Sequence, residues 1–172
     1  MTAHLAGRGG VFEYSGVVRG ISNDAAPPTY RSAFDVRAIV DVPASGTRVL
    51  VAHGGAMGGY SLYLKDGVPT YCYNLLGDPV TYVRAGAPLT PGRHELRLQF
   101  RPDGQGAAGV VLEVDVAGRT TGTVPKITPL MYEASDGFSV GVDQGSPVSP
   151  ETKEAVAAPV VSVRFEYPAP RE

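Results

Sequence analysis

A net charge of −2 over 172 residues, with no cluster of lysine or arginine, excludes a phosphate-backbone partner, which needs several cations on one face. With 43% apolar and 19% charged residues the chain is far from the composition that stays disordered, and its length fits a single domain over residues 1–172. No stretch approaches the roughly 20 apolar residues that cross a bilayer, and Met1-Thr2-Ala3-His4-Leu5 lacks the charged-then-apolar plan of a secretory signal, so a cytoplasmic protein is expected. Cys72 is the sole cysteine, which excludes an internal disulfide framework and a thiolate metal cage.

The 22 glycines and 15 prolines fall between short Val/Leu/Tyr/Phe runs, the placement of turn residues between many strands. In chain order the pattern predicts strands at 11–19, 34–42, 48–53, 60–65, 68–74, 80–85, 93–101, 109–117, 120–124, 137–142 and 160–167. Two long irregular segments, 22–30 with Pro27-Pro28 inside it and 145–159, read as loops over an edge. No long helix and no internal repeat competes. The predicted fold class is all-β, a two-sheet antiparallel sandwich.

Residues 60–74 carry the strongest local signal, because Asp66-Gly67 stands between two alternating runs and supplies the positive φ angles of a two-residue hairpin turn. That turn pairs Lys65 with Val68, and hence Leu64 with Pro69, Leu62 with Tyr71 and Tyr60 with Tyr73. These last six residues form one face, assigned to the core. The opposite face presents Ser61, Tyr63, Thr70, Cys72 and Asn74, polar groups that are wasteful to bury unpaired. It reads either as ordinary solvated sheet or as the floor of a groove.

Several blocks in order, Arg31-Ser32, Val51-Ala-His-Gly-Gly-Ala-Met-Gly-Gly-Tyr-Ser-Leu-Tyr63, Tyr71-Cys-Tyr-Asn74, Pro91-Gly-Arg-His94 and Asp143-Gln-Gly-Ser-Pro-Val148, resemble the C-terminal region of a group of bacterial arylsulfatases. The resemblance runs from about Leu5 to about Val163 and implies a concanavalin A-like (laminin G-like) jelly roll. It does not carry sulfatase chemistry. Cys72 is followed by Tyr73-Asn74-Leu75-Leu76 rather than the C/S-x-P-x-R motif, and the acidic cluster for the sulfatase calcium is missing. The chain also departs from the pattern in a shortened loop at 102–109 and in the segment after Val148.

Two functions of different class follow. The first is a non-catalytic module binding a small molecule or glycan, with Ser61, Tyr63, Cys72, Asn74 and Tyr82 as ligand contacts, since aromatic faces stack on sugar rings and amides bond their hydroxyls. The second is a small enzyme, a cyclase, isomerase or hydrolase, with His53, Tyr63, Cys72 and Asn74 on the floor of the groove, His53 or Tyr63 moving the proton and Asn74 donating to developing negative charge. His53 ends a strand before the glycine-rich 54–59 loop, and a strand-end histidine hydrogen-bonded to a loop carbonyl is its alternative role. His94 enters a strand from a turn and reads as structural, and His4 as tail. Asp143 reads as a turn cap rather than a calcium ligand, having no acidic neighbour in sequence. Neither metal nor cofactor is expected.

Overall fold

The computed structural model describes residues 10–128 and 136–169, so His4 lies outside the described residues. Strand-forming runs separated by glycine turns give β1 (Phe12–Tyr14), β2 (Val18–Ile21), β3 (Phe34–Val42), β4 (Arg48–Gly55), β5 (Gly58–Lys65), β6 (Val68–Asn74) and β7 (Val80–Arg84). There follow β8 (Gly92–Pro102), β9 (Ala108–Val114), β10 (Gly118–Val124), β11 (Phe138–Val140), β12 (Val156–Ala157) and β13 (Val160–Glu166). They form two sheets, β1-β13-β3-β8-β9-β10 and β2-β11-β4-β5-β6-β7, with β12 added parallel to β4 and every other pairing antiparallel. The chain is an all-β sandwich, as its alternation implies.

Where the strands differ from expectation, backbone chemistry explains it. The run at 11–19 is two strands, because Gly16 takes φ +68° and sends β1 into one sheet and β2 into the other. The run at 145–159 is not bare loop. Ser149 caps a short 3₁₀ turn, Pro150–Thr152, by accepting from the Glu151 amide, Pro150 supplies its preset φ, and β12 follows. The Asp66-Gly67 hairpin has the register that its turn dictates, Lys65 with Val68 through Tyr60 with Tyr73, with φ of +48° at Asp66 and +84° at Gly67.

The core lies between the sheets. β3 alternates buried and exposed residues over its nine positions, so Phe34, Val36, Ala38, Val40 and Val42 point inward. Tyr60, Leu62, Leu64, Tyr71 and Tyr73 meet them from the other sheet, with Phe34 5.5 Å from the Tyr60 ring and 5.2 Å from Phe100. Burying each such side chain stabilises the fold by about 1.5–3 kcal/mol. This leaves two outer faces, and they differ.

Candidate functional site

The outer face of the β2–β7 sheet carries the polar row Ser61, Tyr63, Thr70, Cys72 and Asn74, which is not solvated: each is at most 2% exposed. The reading as ordinary solvated sheet is therefore corrected. A strap, residues 142–157, crosses this face, and its Val148 and Ala155 pack on Val49, Ala52, Tyr63 and Cys72 as a second small apolar cluster. That burial is tolerable because the polar atoms are paired. Ser61 donates to Val51 O, Thr70 to Val68 O, and the Asn74 amide donates to Ala56 O and Val148 O while its oxygen accepts from Gly77 N. Tyr63 donates to Glu151 at 2.6 Å and lies 3.1 Å from Ser149 Oγ. Arg84 holds the same Glu151 in a two-pronged ion pair, at 2.8 and 2.7 Å. Tyr82, half-buried at the margin of this cluster, has the Arg84 guanidinium 4.4 Å above its ring. A ligand reaches Ser61, Tyr63, Cys72 or Asn74 only if the strap lifts.

His53 is on the other side of the same sheet. Opposite Tyr60 in β5, it turns into the sandwich interior, edge-on to Tyr60 and Phe138. The 22–30 segment supplies its polar neighbours, Asn23 Oδ1 at 3.2 Å from Nε2 and Thr29 Oγ1 at 3.4 Å from Nδ1. Burial drives its pKa down to about 3, so the imidazole is neutral across the physiological range. The expectation that His53, Tyr63 and Asn74 share one floor is thereby corrected: consecutive positions of a strand point to opposite faces, and the strand register sets His53 inward and the other two outward. Burial also pushes the hydroxyl of Tyr63 and the thiol of Cys72 well above their ordinary pKa values. None of these groups is poised to exchange a proton near neutral pH.

Asp143 accepts from the Val148 amide at 2.8 Å, the capping geometry of a turn. Among the described residues no group of three or more His, Cys, Asp and Glu side chains could hold a metal ion. His94 pairs with Asp115 and with the Thr90 carbonyl, linking a strand start to the β9–β10 turn.

The outer face of the other sheet is open. On it one cross-strand row runs through all six strands, Glu13, Arg164, Arg37, Arg97, Glu113 and Arg119. Three arginines directly opposite one another repel. Carboxylates offset that repulsion: Glu95 takes hydrogen bonds from both Arg37 and Arg97 at 2.6 Å, and Glu166 takes one from Arg164 at 2.5 Å. The guanidiniums remain accessible, with side-chain exposures of 51% for Arg37, 46% for Arg97 and 41% for Arg164. Ion pairs this exposed contribute little to stability. Together with Asp35, Gln99 and Glu113 they line a shallow depression of about 190 Å³. Planar guanidinium forks and carboxylates on one sheet face offer donors and acceptors close together, which suits a ligand rich in hydroxyl or acid groups.

The sequence reading did not single out this row. Its alternation is visible in each strand, at Asp35/Arg37, Arg97/Gln99 and Arg164/Glu166. What aligns the arginines is the order β13-β3-β8, in which no two neighbours are consecutive in the chain.

No protein-family profile matches the chain, and no curated protein matches it. Solved structures do. The carbohydrate-binding module CBM40 of the Ruminococcus gnavus IT-sialidase superposes with a TM-score of 0.57 at 12% identity, over 91% of this chain and 91% of that one. A leech intramolecular trans-sialidase, complexed with 2,7-anhydro-Neu5Ac, superposes with a TM-score of 0.57 at 11% identity over 96% of this chain. This chain spans 27% of that enzyme's length. The LG1-3 region of the laminin α2 chain gives a TM-score of 0.52 at 17% identity, over 91% of this chain and 30% of that one. At such identities the likeness is one of fold, the laminin G-like, concanavalin A-like jelly roll. None of these three is an arylsulfatase, so they bear on the fold and do not show the arylsulfatase relation.

Proposed function

We propose that the protein is a non-catalytic binding module that takes a glycan on the open outer face of the β1–β10 sheet, across Arg164, Arg37 and Arg97. The observation that carries this reading is the row itself: three accessible guanidiniums aligned by register over a depression, on a sheet face that no strap among the described residues covers. An ordinary solvated sheet is served equally well by dispersed charges; here the aligned guanidiniums, whose repulsion Glu95 and Glu166 offset, keep exposed donors for a ligand's oxygens. A shallow, wet face is also what distinguishes a module from an enzyme, whose site is a closed pocket with a few convergent polar groups.

Two likenesses lend support. The jelly roll is shared with a carbohydrate-binding module whose structures include complexes with α2,3- and α2,6-sialyllactose. The arylsulfatase tails that the sequence resembles are likewise accessory to a separate catalytic domain. The acid–base alternative draws no support from His53, Tyr63 and Asn74, which the sheet divides between its two sides.

Glycan-array screening followed by calorimetry tests the proposal. Binding of acidic or sulfated glycans that weakens at least tenfold in Arg37→Ala and Arg97→Ala, with thermal unfolding unchanged, is the expected result. Equal binding by the wild type and both variants overturns it.

A further inference from the structure

The strap leaves part of the β2–β7 sheet uncovered. Between β2 and the strap, above Val49, lies a hollow of about 300 Å³. Val49, Val142 and Ala155 are among its apolar lining residues, and its charged groups are the exposed Arg19 and Lys153 and the partly buried Asp143. Among the described residues neither Arg19 nor Lys153 enters an ion pair, whereas Arg37, Arg84, Arg93 and Arg97 are each held by a carboxylate. Two cations without an ion pair among the described residues therefore line the same hollow as a partly buried carboxyl group. That carboxyl spends one oxygen on the Val148 amide. Burial, helped by the charge of nearby Asp136, raises its pKa to about 6, so it stays a strong hydrogen-bond partner for a neutral hydroxyl.

We propose that this hollow is a second binding site, distinct from the arginine row, for a small hydroxylated carboxylic acid of about monosaccharide size. Arg19 and Lys153 take the ligand's carboxylate, and Asp143 bonds a hydroxyl. Val49, Val142 and Ala155 pack against part of the carbon skeleton. Neither half of such a ligand suffices alone. A bare carboxylate leaves the second oxygen of Asp143 unused and brings a like charge to it, and a neutral polyol leaves both cations unanswered.

Titration of the isotopically labelled full chain followed by nuclear magnetic resonance tests this, with D-glucuronate, D-glucose and acetate as probes. Glucuronate is expected to move the amide signals of Arg19 and of residues 142–157, and to do so at a concentration at least tenfold below that needed for glucose or acetate. Arg19→Ala and, separately, Lys153→Ala are expected to weaken it at least fivefold; both side chains are exposed, so the fold is retained. Arg97→Ala, on the opposite sheet, leaves this titration unchanged, which separates the present proposal from the glycan reading of the arginine row. Shifts confined to the β3–β8 face, equal responses to acetate and glucuronate, or no shift near the strap each overturn it.

Discussion

Tyr63 and Glu151 join two layers of the molecule: the phenolic hydroxyl, rooted in β5, donates at 2.6 Å to a carboxylate carried by the strap. The same carboxylate is gripped by Arg84 of β7, two strands away in the same sheet. A strand residue and a strap residue 88 positions apart in sequence are thus fixed to each other by a hydrogen bond to a charged acceptor, the stronger kind.

Breaking that link is expected to loosen the strap without unfolding the sandwich. Tyr63→Phe keeps the ring in the Val49/Cys72/Val148 cluster and removes only the donor, at a cost of about 1–3 kcal/mol for a hydrogen bond to a charged group. Hydrogen exchange should then quicken at Val148, Glu151 and Thr152 while β5 and β6 stay protected. Uniform acceleration across both sheets would show that the strap is part of the global folding unit instead.

The buried histidine makes stability depend on acidity. In the unfolded chain His53 takes up its proton near pH 6.5, and in the folded protein only near 3. The unfolded state therefore binds more protons through that window, and the contribution of neutral His53 to stability is lost as the pH falls from 6.5 toward 3, by at most about 1.4 kcal/mol per pH unit. Asp143 acts in the opposite sense between its ordinary 3.8 and about 6, because there the folded state holds the extra proton. Urea midpoints should accordingly decline gently between pH 6 and 4 and more steeply below. His53→Phe should reduce the decline, and Asp143→Asn should steepen it between pH 6 and 4. A His53→Phe profile identical in shape to the wild type would refute the assignment.

Tyr71 offers a test in the stabilising direction. Its ring is fully buried in the core, and its hydroxyl has no hydrogen-bond partner among the described residues. Tyr71→Phe removes an unsatisfied buried oxygen and leaves the ring packing against Tyr60 and Phe100 in place. Thermal unfolding should show a stability unchanged or raised by about 1 kcal/mol. A loss of more than that would mean the hydroxyl is bonded.

How far these features were legible depends on whether their causes are local. The register from Tyr60 to Tyr73 follows from the backbone demands of Asp66-Gly67, so it could be read residue by residue. The same register correctly separated Tyr71 from Cys72 by face. That the outer face is also shut off from water could not be read, because the cover over Cys72 is Val148, brought from 76 residues away by the return of the strap. The arginine row has the same character: each member is plainly outward in its own strand, and only the β13-β3-β8 order sets them side by side.

The sandwich closes where β7 and β10 approach each other at the free edges of the two sheets, and one glycine sets how near they come. A Cβ added at Gly122 would stand 2.5 Å from Cγ2 of Val83, well inside contact distance, and Val83 is itself 4% exposed with no room to retreat. Gly122 shows no positive φ, so the constraint is space rather than backbone freedom. Gly122→Ala is expected to cost about 1–3 kcal/mol by overpacking. Val83→Ala alone also destabilises, by opening a cavity. In the double variant the added methyl occupies part of the space the valine vacated, so its loss of stability should be smaller than the sum of the two single losses by at least about 1 kcal/mol. Strictly additive losses in denaturant titrations would show that the two residues do not share that space, and that the edges of the sandwich are held apart by something other than Val83.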